Sequence, residues 1–204
     1  MPTNREIFDN IAESWYGYRH HTRFQVELVE MARRWTGGRL LNAGCGHGAD
    51  FLPFKDGFNL YGCDFSFQML LQAQRYSAKY GLPINLAQAD LSALPYAAGA
   101  FDCAISVAAY HHIRGRENAL KAFRELQRVI KPGGEIFVTV WNRFQPCFWL
   151  QGRDALVPWK TKEHIYMRYY YLYDYGSISS LVNPASFISI SSSNAFFAAV
   201  LERA

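Results

Sequence analysis

The hydrophobic positions switch between helical spacing and short apolar runs over most of the chain. Helical spacing covers residues 5–15 and 24–35 at the start of the sequence and returns over residues 118–130. Short apolar runs of the kind that form buried strands occupy residues 39–43, 59–63, 84–87, 101–108 and 135–141. Short strands that alternate with longer helical segments predict a parallel sheet covered by helices on both faces.

The last third of the sequence has a looser pattern. Residues 131–134, Lys-Pro-Gly-Gly, follow the third helical segment and are expected to stop it. A stretch rich in Trp and Tyr then leads to two strand candidates, residues 186–191 and 195–202, on either side of Asn194. Because their connection is short, we expect these strands to pair and to add an antiparallel edge to the parallel sheet.

Composition narrows the class of protein without identifying it. A chain of 204 residues, of which 50% are hydrophobic, suits one domain with one core. The formal net charge of +4 fits an anionic partner, but it also fits an ordinary surface. The four cysteines lie far apart, so we expect no metal site, no disulfide framework and a cytoplasmic location. No apolar run approaches the roughly 20 residues that a membrane span needs, so we expect a soluble protein.

The clearest chemical signal is a glycine loop at the end of the first predicted strand. Residues 39–43 run directly into Gly44-Cys45-Gly46-His47-Gly48. Glycines without side chains allow the backbone to close around a ligand. The spacing is GxGxG, whereas the dinucleotide fingerprint that places a pyrophosphate at a helix N-terminus is GxGxxG. The loop therefore favours adenosylmethionine over a nicotinamide cofactor.

Acidic residues follow the next two predicted strands. Asp64 comes about 20 residues after the glycine loop, where doubly wound folds place an acid against ribose hydroxyls. Asp90 follows the third strand, where a carboxylate can accept a hydrogen bond from an adenine amino group. Either acid alone would more often be a surface charge or a helix cap. Together, at the ends of successive strands, they predict a nucleoside-containing cofactor.

These residues resemble the successive motifs of class I S-adenosylmethionine-dependent methyltransferases. The matching segments are Gly44-x-Gly46-x-Gly48, Gly62-Cys63-Asp64, Ala89-Asp90, Phe101-Asp102 and Lys131-Pro132-Gly133-Gly134. The resemblance implies an α/β, doubly wound, Rossmann-like fold with a mostly parallel seven-stranded sheet and an antiparallel C-terminal strand. It also implies S-adenosyl-L-methionine as cofactor, S-adenosyl-L-homocysteine as product, and a cofactor site made of Asn42, Gly44, Cys45, Gly46, Gly48, Asp64, Phe65, Ala89, Asp90, Leu91 and Val107.

One position departs from this family. The family usually has Asp or Glu two residues before the first glycine, and this chain has Asn42. Asparagine keeps a hydrogen-bond acceptor but loses the charge, so weaker cofactor binding is expected rather than none.

We expect one methyltransferase domain over residues 1–204. Residues 1–36 would form helices over the site, and residues 37–141 would form the cofactor-binding core. Residues 142–204 would supply a substrate-side insertion and the C-terminal strand pair. No internal repeat or linker-like composition divides the chain.

Further segments resemble one subfamily, the tRNA wobble-uridine methyltransferases that esterify 5-carboxymethyluridine, related to the methyltransferase domain of AlkB-homologue tRNA enzymes. They are Phe8-Asp9-Asn10-Ile11-Ala12, Tyr18-Arg19, His111-His112, Arg114-Gly115-Arg116-Glu117, Val157-Pro158-Trp159, Arg168-Tyr169-Tyr170-Tyr171-Leu172-Tyr173 and Asn194-Ala195-Phe196-Phe197. This resemblance implies methyl transfer to the carboxylate of 5-carboxymethyluridine in tRNA. It also implies a heterodimer with a small zinc-binding activator subunit.

The expected acceptor determines which side chains the site needs. A carboxyl group titrates near about 4, so the nucleophile is already ionised at neutral pH and needs no strong general base. A guanidinium group orients a carboxylate well, so Arg19 and Arg168 are the leading substrate ligands. His111, His112 and Asn194 could hydrogen-bond the substrate.

Simpler interpretations of the same residues stay open. Isolated arginines are usually solvated, one of the two histidines could support local structure, and residues 169–173 could pack in the core instead of stacking on anticodon bases. Scattered cations around residues 19–23, 114–116 and 143–168 would bind phosphates without reading bases. Methylation of a small molecule and a non-catalytic module that binds RNA or a partner are the alternative functions.

Overall fold

A computed structural model describes residues 2–148, 150–181, 187–192 and 196–203. The helices in these ranges are α1 (Asn4–Tyr18), α2 (Gln25–Trp35), α3 (Phe67–Tyr80), α4 (Arg116–Val129) and α5 (Tyr175–Ser179). The strands are β1 (Gly38–Ala43), β2 (Phe58–Asp64), β3 (Ile84–Gln88), β4 (Phe101–Val107), β5 (Ile130–Trp141), β6 (Asp154–Lys160), β7 (Ile165–Tyr171), β8 (Phe187–Ser192) and β9 (Phe196–Glu202). Short 3₁₀ turns occupy Ala49–Phe54, Tyr110–His112 and Pro146–Phe148.

The main sheet has seven strands in the order β3-β2-β1-β4-β5-β9-β8. Strands β1 to β5 pair in parallel, whereas β9 is antiparallel to both of its neighbours. This confirms the predicted doubly wound fold with an antiparallel C-terminal strand. The expected antiparallel edge is also confirmed, because β9 and β8 follow β5 at one edge of the sheet and pair antiparallel. Strand β9 joins this edge to the parallel strands by continuous pairing with β5, from Glu135↔Glu202 to Trp141↔Phe196.

The observed bounds of several helices differ from the predicted ones. Helix α1 continues three residues beyond Trp15, and α2 begins one residue after the predicted start. Helix α3 was not singled out in the sequence, although Ser66 caps its start and Gly81, in a left-handed conformation, ends it.

The Lys-Pro-Gly-Gly segment stops α4 as expected, but β5 already begins at Ile130 instead of Glu135. Ile130 pairs with Phe101, and the regular ladder resumes where Glu135 pairs with Cys103. The intervening residues 131–134 form an irregularity within the strand, and Gly133 has a φ of +75° there.

A two-stranded antiparallel hairpin, β6 with β7, stands apart from the main sheet and was not predicted. Its sequence is rich in aromatic residues, and the alternation expected of a strand is interrupted by Pro158. Trp159 and Tyr166, which pair with each other, lie on the face that packs toward α1. The hairpin therefore adds a second wall to the open end of the main sheet.

Candidate functional site

A crevice of about 400 Å³ opens at the carboxyl ends of the parallel strands. This is where open α/β sheets bind ligands, because the loops that leave successive strands diverge there. One side of the crevice consists of the loops that follow β1, β2 and β3 together with Ala108 and Ala109. The other side is covered by α1, the turn at residues 110–112 and the side chain of Tyr170.

The glycine loop forms the floor of the first side with bare backbone. The backbone N–H groups of Gly44 and Cys45 donate to the carbonyl oxygen of Cys63, at 2.8 and 2.9 Å, which ties the loop to β2. Gly44 has a φ of +78°, and a Cβ built on it would lie 2.5 Å from the Cβ of Ala109. Only glycine fits this position, because any side chain would clash with the segment that follows β4.

Asp64, at the end of β2, supports the loop and lines the crevice. Its Oδ2 accepts from the N–H of Gly46 and its Oδ1 from the N–H of Ser66, each at 2.9 Å. Burial raises the pKa of Asp64 to about 6, while these two backbone hydrogen bonds act in the opposite direction. A buried acceptor with remaining lone pairs fits the hydroxyl groups of a ribose.

The residues that line the crevice suit S-adenosylmethionine. Nine of the eleven predicted cofactor residues line it: Gly44, Cys45, Gly46, Asp64, Phe65, Ala89, Asp90, Leu91 and Val107. Asn42 and Gly48 do not line it. Asn42 is fully buried in β1, and neither its Oδ1 nor its Nδ2 has a hydrogen-bond partner in the part of the chain that the structure describes. Gly48 has a φ of +89° and closes the turn by donating from its N–H to the carbonyl of Cys45, so its role is to shape the loop.

Arg19 lines the crevice on the side of α1. Its guanidinium carbon lies 4.6 Å from the centre of the Trp15 ring, and no described residue forms a hydrogen bond with its Nε. Burial lowers the pKa of Arg19, and the nearby cations Arg23 and Arg168 lower it further. The guanidinium remains charged at neutral pH, because the ordinary arginine pKa lies above 12.

Arg168, on β7, is only 4% exposed and lies one layer behind the crevice wall. Its guanidinium carbon is 4.9 to 5.6 Å from the ring centres of Trp15, Trp159 and Tyr170, of which Trp15 and Tyr170 line the crevice. Within the described ranges, its Nε and Nη1 have no hydrogen-bond partner. Burial lowers the pKa of Arg168.

His111 and His112 form the turn after β4, and both line the crevice. Burial lowers the pKa of His111 well below the usual range and that of His112 to about 3, so both rings are neutral at pH 7. His111 stacks on Tyr170 with ring centres 4.7 Å apart. The fifth predicted substrate residue, Asn194, lies outside the described residues.

Other residues of the crevice were not singled out in the sequence. Asp50 lies two residues beyond the glycine loop, and burial raises its pKa to about 6 despite a hydrogen bond from Thr22. Tyr170 was noted only as part of an aromatic run; it is 2% exposed and lies between His111 and Arg168. Tyr169 and Tyr173 are also buried, which favours packing over base stacking for these side chains.

Two kinds of site are not found among the described residues. No cluster of three or more His, Cys, Asp or Glu side chains could hold a metal ion there. In the same ranges, no helix combines the length and the apolar character that crossing a membrane requires.

Comparison with known proteins agrees with this geometry. Residues 41–138 match a family model described as a methyltransferase domain. The CcbJ methyltransferase of Streptomyces caelestis superimposes with a TM-score of 0.79 over 100% of both chains, at 14% identity, which shows a shared fold. A tRNA (carboxymethyluridine(34)-5-O)-methyltransferase of Arabidopsis thaliana is 36% identical over 106 residues, covering 52% of this chain and 24% of the relative.

A second relative acts in a different process. The ubiquinone/menaquinone biosynthesis C-methyltransferase UbiE of Bdellovibrio bacteriovorus is 33% identical over 122 residues, which covers 58% of this chain and 50% of the relative. The chain thus spans about a quarter of the Arabidopsis protein and half of the bacterial one.

Proposed function

We propose that this S-adenosylmethionine-dependent methyltransferase transfers the methyl group of its cofactor to the carboxylate of 5-carboxymethyluridine at the wobble position of tRNA. The product would be the methyl ester of that nucleoside. The proposal rests on the resemblance to a tRNA methyltransferase and on the charges on one side of the crevice. This side, formed by α1, the turn at residues 110–112 and Tyr170, is called the substrate side, and the opposite side, with the glycine loop, is called the cofactor side.

One observation carries the choice of a carboxylate acceptor. Arg168 is buried and Arg19 is partly buried against the same ring, that of Trp15, and each has guanidinium nitrogen atoms without a partner among the described residues. Among the described residues, neither arginine has a carboxylate within ion-pair distance. Arg19 is nevertheless close enough to Asp50 to lower the pKa of that carboxyl. Buried unpaired cations are costly, so an anionic ligand would stabilise this arrangement.

The residues divide the work of the reaction. The bound cofactor supplies a methyl group on a positively charged sulfur. Arg19 lines the crevice and would hold one carboxylate oxygen, while Arg168 adds positive potential from behind Trp15 and Tyr170. The second oxygen must stay free to act as the nucleophile, because gripping both would stabilise the substrate more than the transition state. The aromatic walls exclude water and strengthen these electrostatic interactions.

Cations at the rim suit a polyanionic substrate. Arg23 and Arg114 also line the crevice. Cations further along the chain behave differently, since Arg143 and Arg153 form ion pairs with Asp174. The rim would therefore contact RNA phosphates near the acceptor base without reading sequence.

The direct test uses labelled S-adenosylmethionine and tRNA that carries 5-carboxymethyluridine. We expect label in the RNA that mild alkali removes, because a methyl ester hydrolyses under conditions that spare N- and C-methyl groups. Alkali-stable label, or no transfer to RNA with the small zinc-binding activator subunit present, would contradict the proposal. Reactions with and without that subunit also test whether the heterodimer is required.

Methylation of a small apolar acid is the second candidate. The aromatic residues Phe8, Trp15 and Tyr170 line the crevice, and the UbiE relative is named for quinone biosynthesis. Small aromatic carboxylic acids supplied in place of RNA distinguish the two. Faster methylation of such an acid than of tRNA would favour this candidate.

A further inference from the structure

Asn4, the first residue of α1, connects three parts of the substrate side. Its Nδ2 donates to the carbonyl oxygen of His112 at 3.0 Å, and its Oδ1 accepts from the N–H of Tyr169 at 3.1 Å. The orientation of the amide is unambiguous, because a carbonyl can only accept and an N–H can only donate. Asn4 therefore joins the start of α1 to the histidine turn and to β7.

A third hydrogen bond closes this triangle and fixes the proton on His112. The Nδ1 of His112 lies 3.0 Å from the carbonyl oxygen of Tyr169. Since that carbonyl cannot donate, Nδ1 carries the proton and the opposite ring atom, Nε2, has a free lone pair. The ring is also held by edge contacts with Phe8 and Tyr170, with ring centres 4.7 and 4.5 Å away.

The remaining ring nitrogen has a definite chemical preference. His112 lines the crevice, and within the described part of the chain no hydrogen bond involves its Nε2. The low pKa of His112 keeps the ring neutral, so Nε2 accepts hydrogen bonds and cannot donate them. It would repel a carboxylate oxygen and attract an N–H or O–H group of the substrate.

We propose that His112 recognises the acceptor base by accepting a hydrogen bond from the imide N–H of its uracil ring, and that Asn4 is the positioning residue for this contact. The inference rests on the proposed function, which supplies a uracil as the acceptor. Carboxylate orientation and base recognition then fall to different residues, the arginines for the former and His112 for the latter. A substrate with a carboxylate but no nearby donor would fit poorly.

Two synthetic anticodon stem-loop RNAs test this recognition. One carries 5-carboxymethyluridine, and the other carries the same nucleoside with a methyl group on N3, which removes the donor. We expect wild-type protein, with the activator subunit, to methylate the first with a kcat/KM about 10-fold or more above the second, as loss of one buried hydrogen bond predicts. In His112→Ala, kcat/KM for the first RNA should fall to the level of the second.

The outcomes separate recognition from simple crowding. If His112→Ala left the first RNA unaffected and accelerated the second, the N3-methyl group would merely have clashed with the ring, and the inference would be wrong. Equal rates of the wild-type protein on both RNAs would also overturn it, while leaving the proposed function intact. Absence of transfer to either RNA would refute the proposed function and this inference with it.

Asn4 is tested with a matched control on the same helix. Asn4→Asp keeps an acceptor for Tyr169 but places an oxygen against the carbonyl of His112, so it should reduce the discrimination between the two RNAs. Asn10→Ala removes an exposed amide that, among the described residues, donates to the carbonyl of Glu6 alone, at 2.7 Å, and should leave the discrimination unchanged. Full discrimination in Asn4→Asp, with the affinity for S-adenosylmethionine equal to wild type, would remove Asn4 from the proposal.

Discussion

The two sides of the crevice are built in different ways. The cofactor side comes from loops that follow consecutive parallel strands, and its geometry depends on backbone, with the glycine loop tied to β2 and to Asp64. The substrate side joins α1, the histidine turn and β7, through hydrogen bonds between residues as many as 165 positions apart in sequence. The cofactor side is thus a property of the sheet, whereas the substrate side exists only when distant elements have docked.

The substitution with the largest expected effect changes the cofactor side alone. Asp64→Ala removes the acceptor for the N–H of Gly46 and for that of Ser66, besides the predicted ribose contact, so we expect S-adenosylmethionine affinity to fall by about 100-fold or more. Isothermal titration measures this loss, and circular dichroism checks that the fold persists. Wild-type affinity in this variant would show that the loop binds cofactor without its acid.

Substitutions on the substrate side should slow methyl transfer and leave the affinity for S-adenosylmethionine unchanged. Arg19→Ala should slow methyl transfer by about 30-fold, because a charge-assisted interaction with the substrate carboxylate is lost. Arg168→Ala should slow it less, because the positive potential from behind Trp15 and Tyr170 is lost, and Arg168→Lys, which keeps the charge, should recover part of the rate. Each should bind S-adenosylmethionine as the wild-type protein does, and full turnover in the arginine variants would disprove the carboxylate contact.

Acid should affect the cofactor side through Asp64. Its pKa of about 6 means that cofactor affinity should decline as pH falls through 6, because a protonated carboxyl is a weaker acceptor and one of its oxygens becomes a donor. The stability of the cofactor-free protein should change in the reverse sense: the folded state binds this proton more tightly than the unfolded chain, so the unfolding free energy falls as pH rises from about 4 to about 6.

Matched variants assign this pH dependence. Asp64→Asn should flatten the affinity profile, whereas Asp50→Asn, which removes the other carboxyl with a pKa near 6, should preserve it. Titrations with S-adenosylmethionine between pH 5 and pH 8 provide the comparison. An unchanged profile in Asp64→Asn would exclude Asp64 as its source.

The smallest expected effect concerns the docking of the hairpin on α1. The Nε1 of Trp159 donates to Ser14 Oγ at 2.8 Å, and its ring packs on Trp15. Trp159→Phe should lower the unfolding free energy by about 1 kcal/mol, as for a typical hydrogen bond, and leave cofactor affinity unchanged. Thermal unfolding with and without S-adenosylmethionine measures both, and an equal loss of cofactor affinity would mean that the two sides are not independent.

The same contrast explains what the sequence could predict. The parallel strands, the glycine loop and Asp64 follow from local patterns, because a buried strand, a turn and an acid at its end lie close together in sequence. Asn4 could not be predicted, since a polar residue at a helix start is usually explained by capping. Its partners lie 108 and 165 residues away, so only the folded chain reveals the triangle.

The hairpin shows a different limit. Strand β7 packs on α1 and on the turn at residues 110–112, β6 pairs with β7, and the aromatic residues of the two strands give no clear period. Arg168 was found through family resemblance, but its position behind Trp15 and Tyr170 depends on how the hairpin docks. Charge in a sequence does not reveal whether a side chain reaches a cavity directly or acts through the rings in front of it.

The contact between Gly44 and Ala109 gives the two sides a shared boundary. A side chain cannot be inserted at position 44 without displacing Ala109, which lies two residues before His111. Replacement of Ala109 by a larger residue should therefore weaken cofactor binding and change the selectivity for the acceptor at the same time. Efforts to redirect the enzyme to new acceptors should leave this pair untouched and begin at the hairpin.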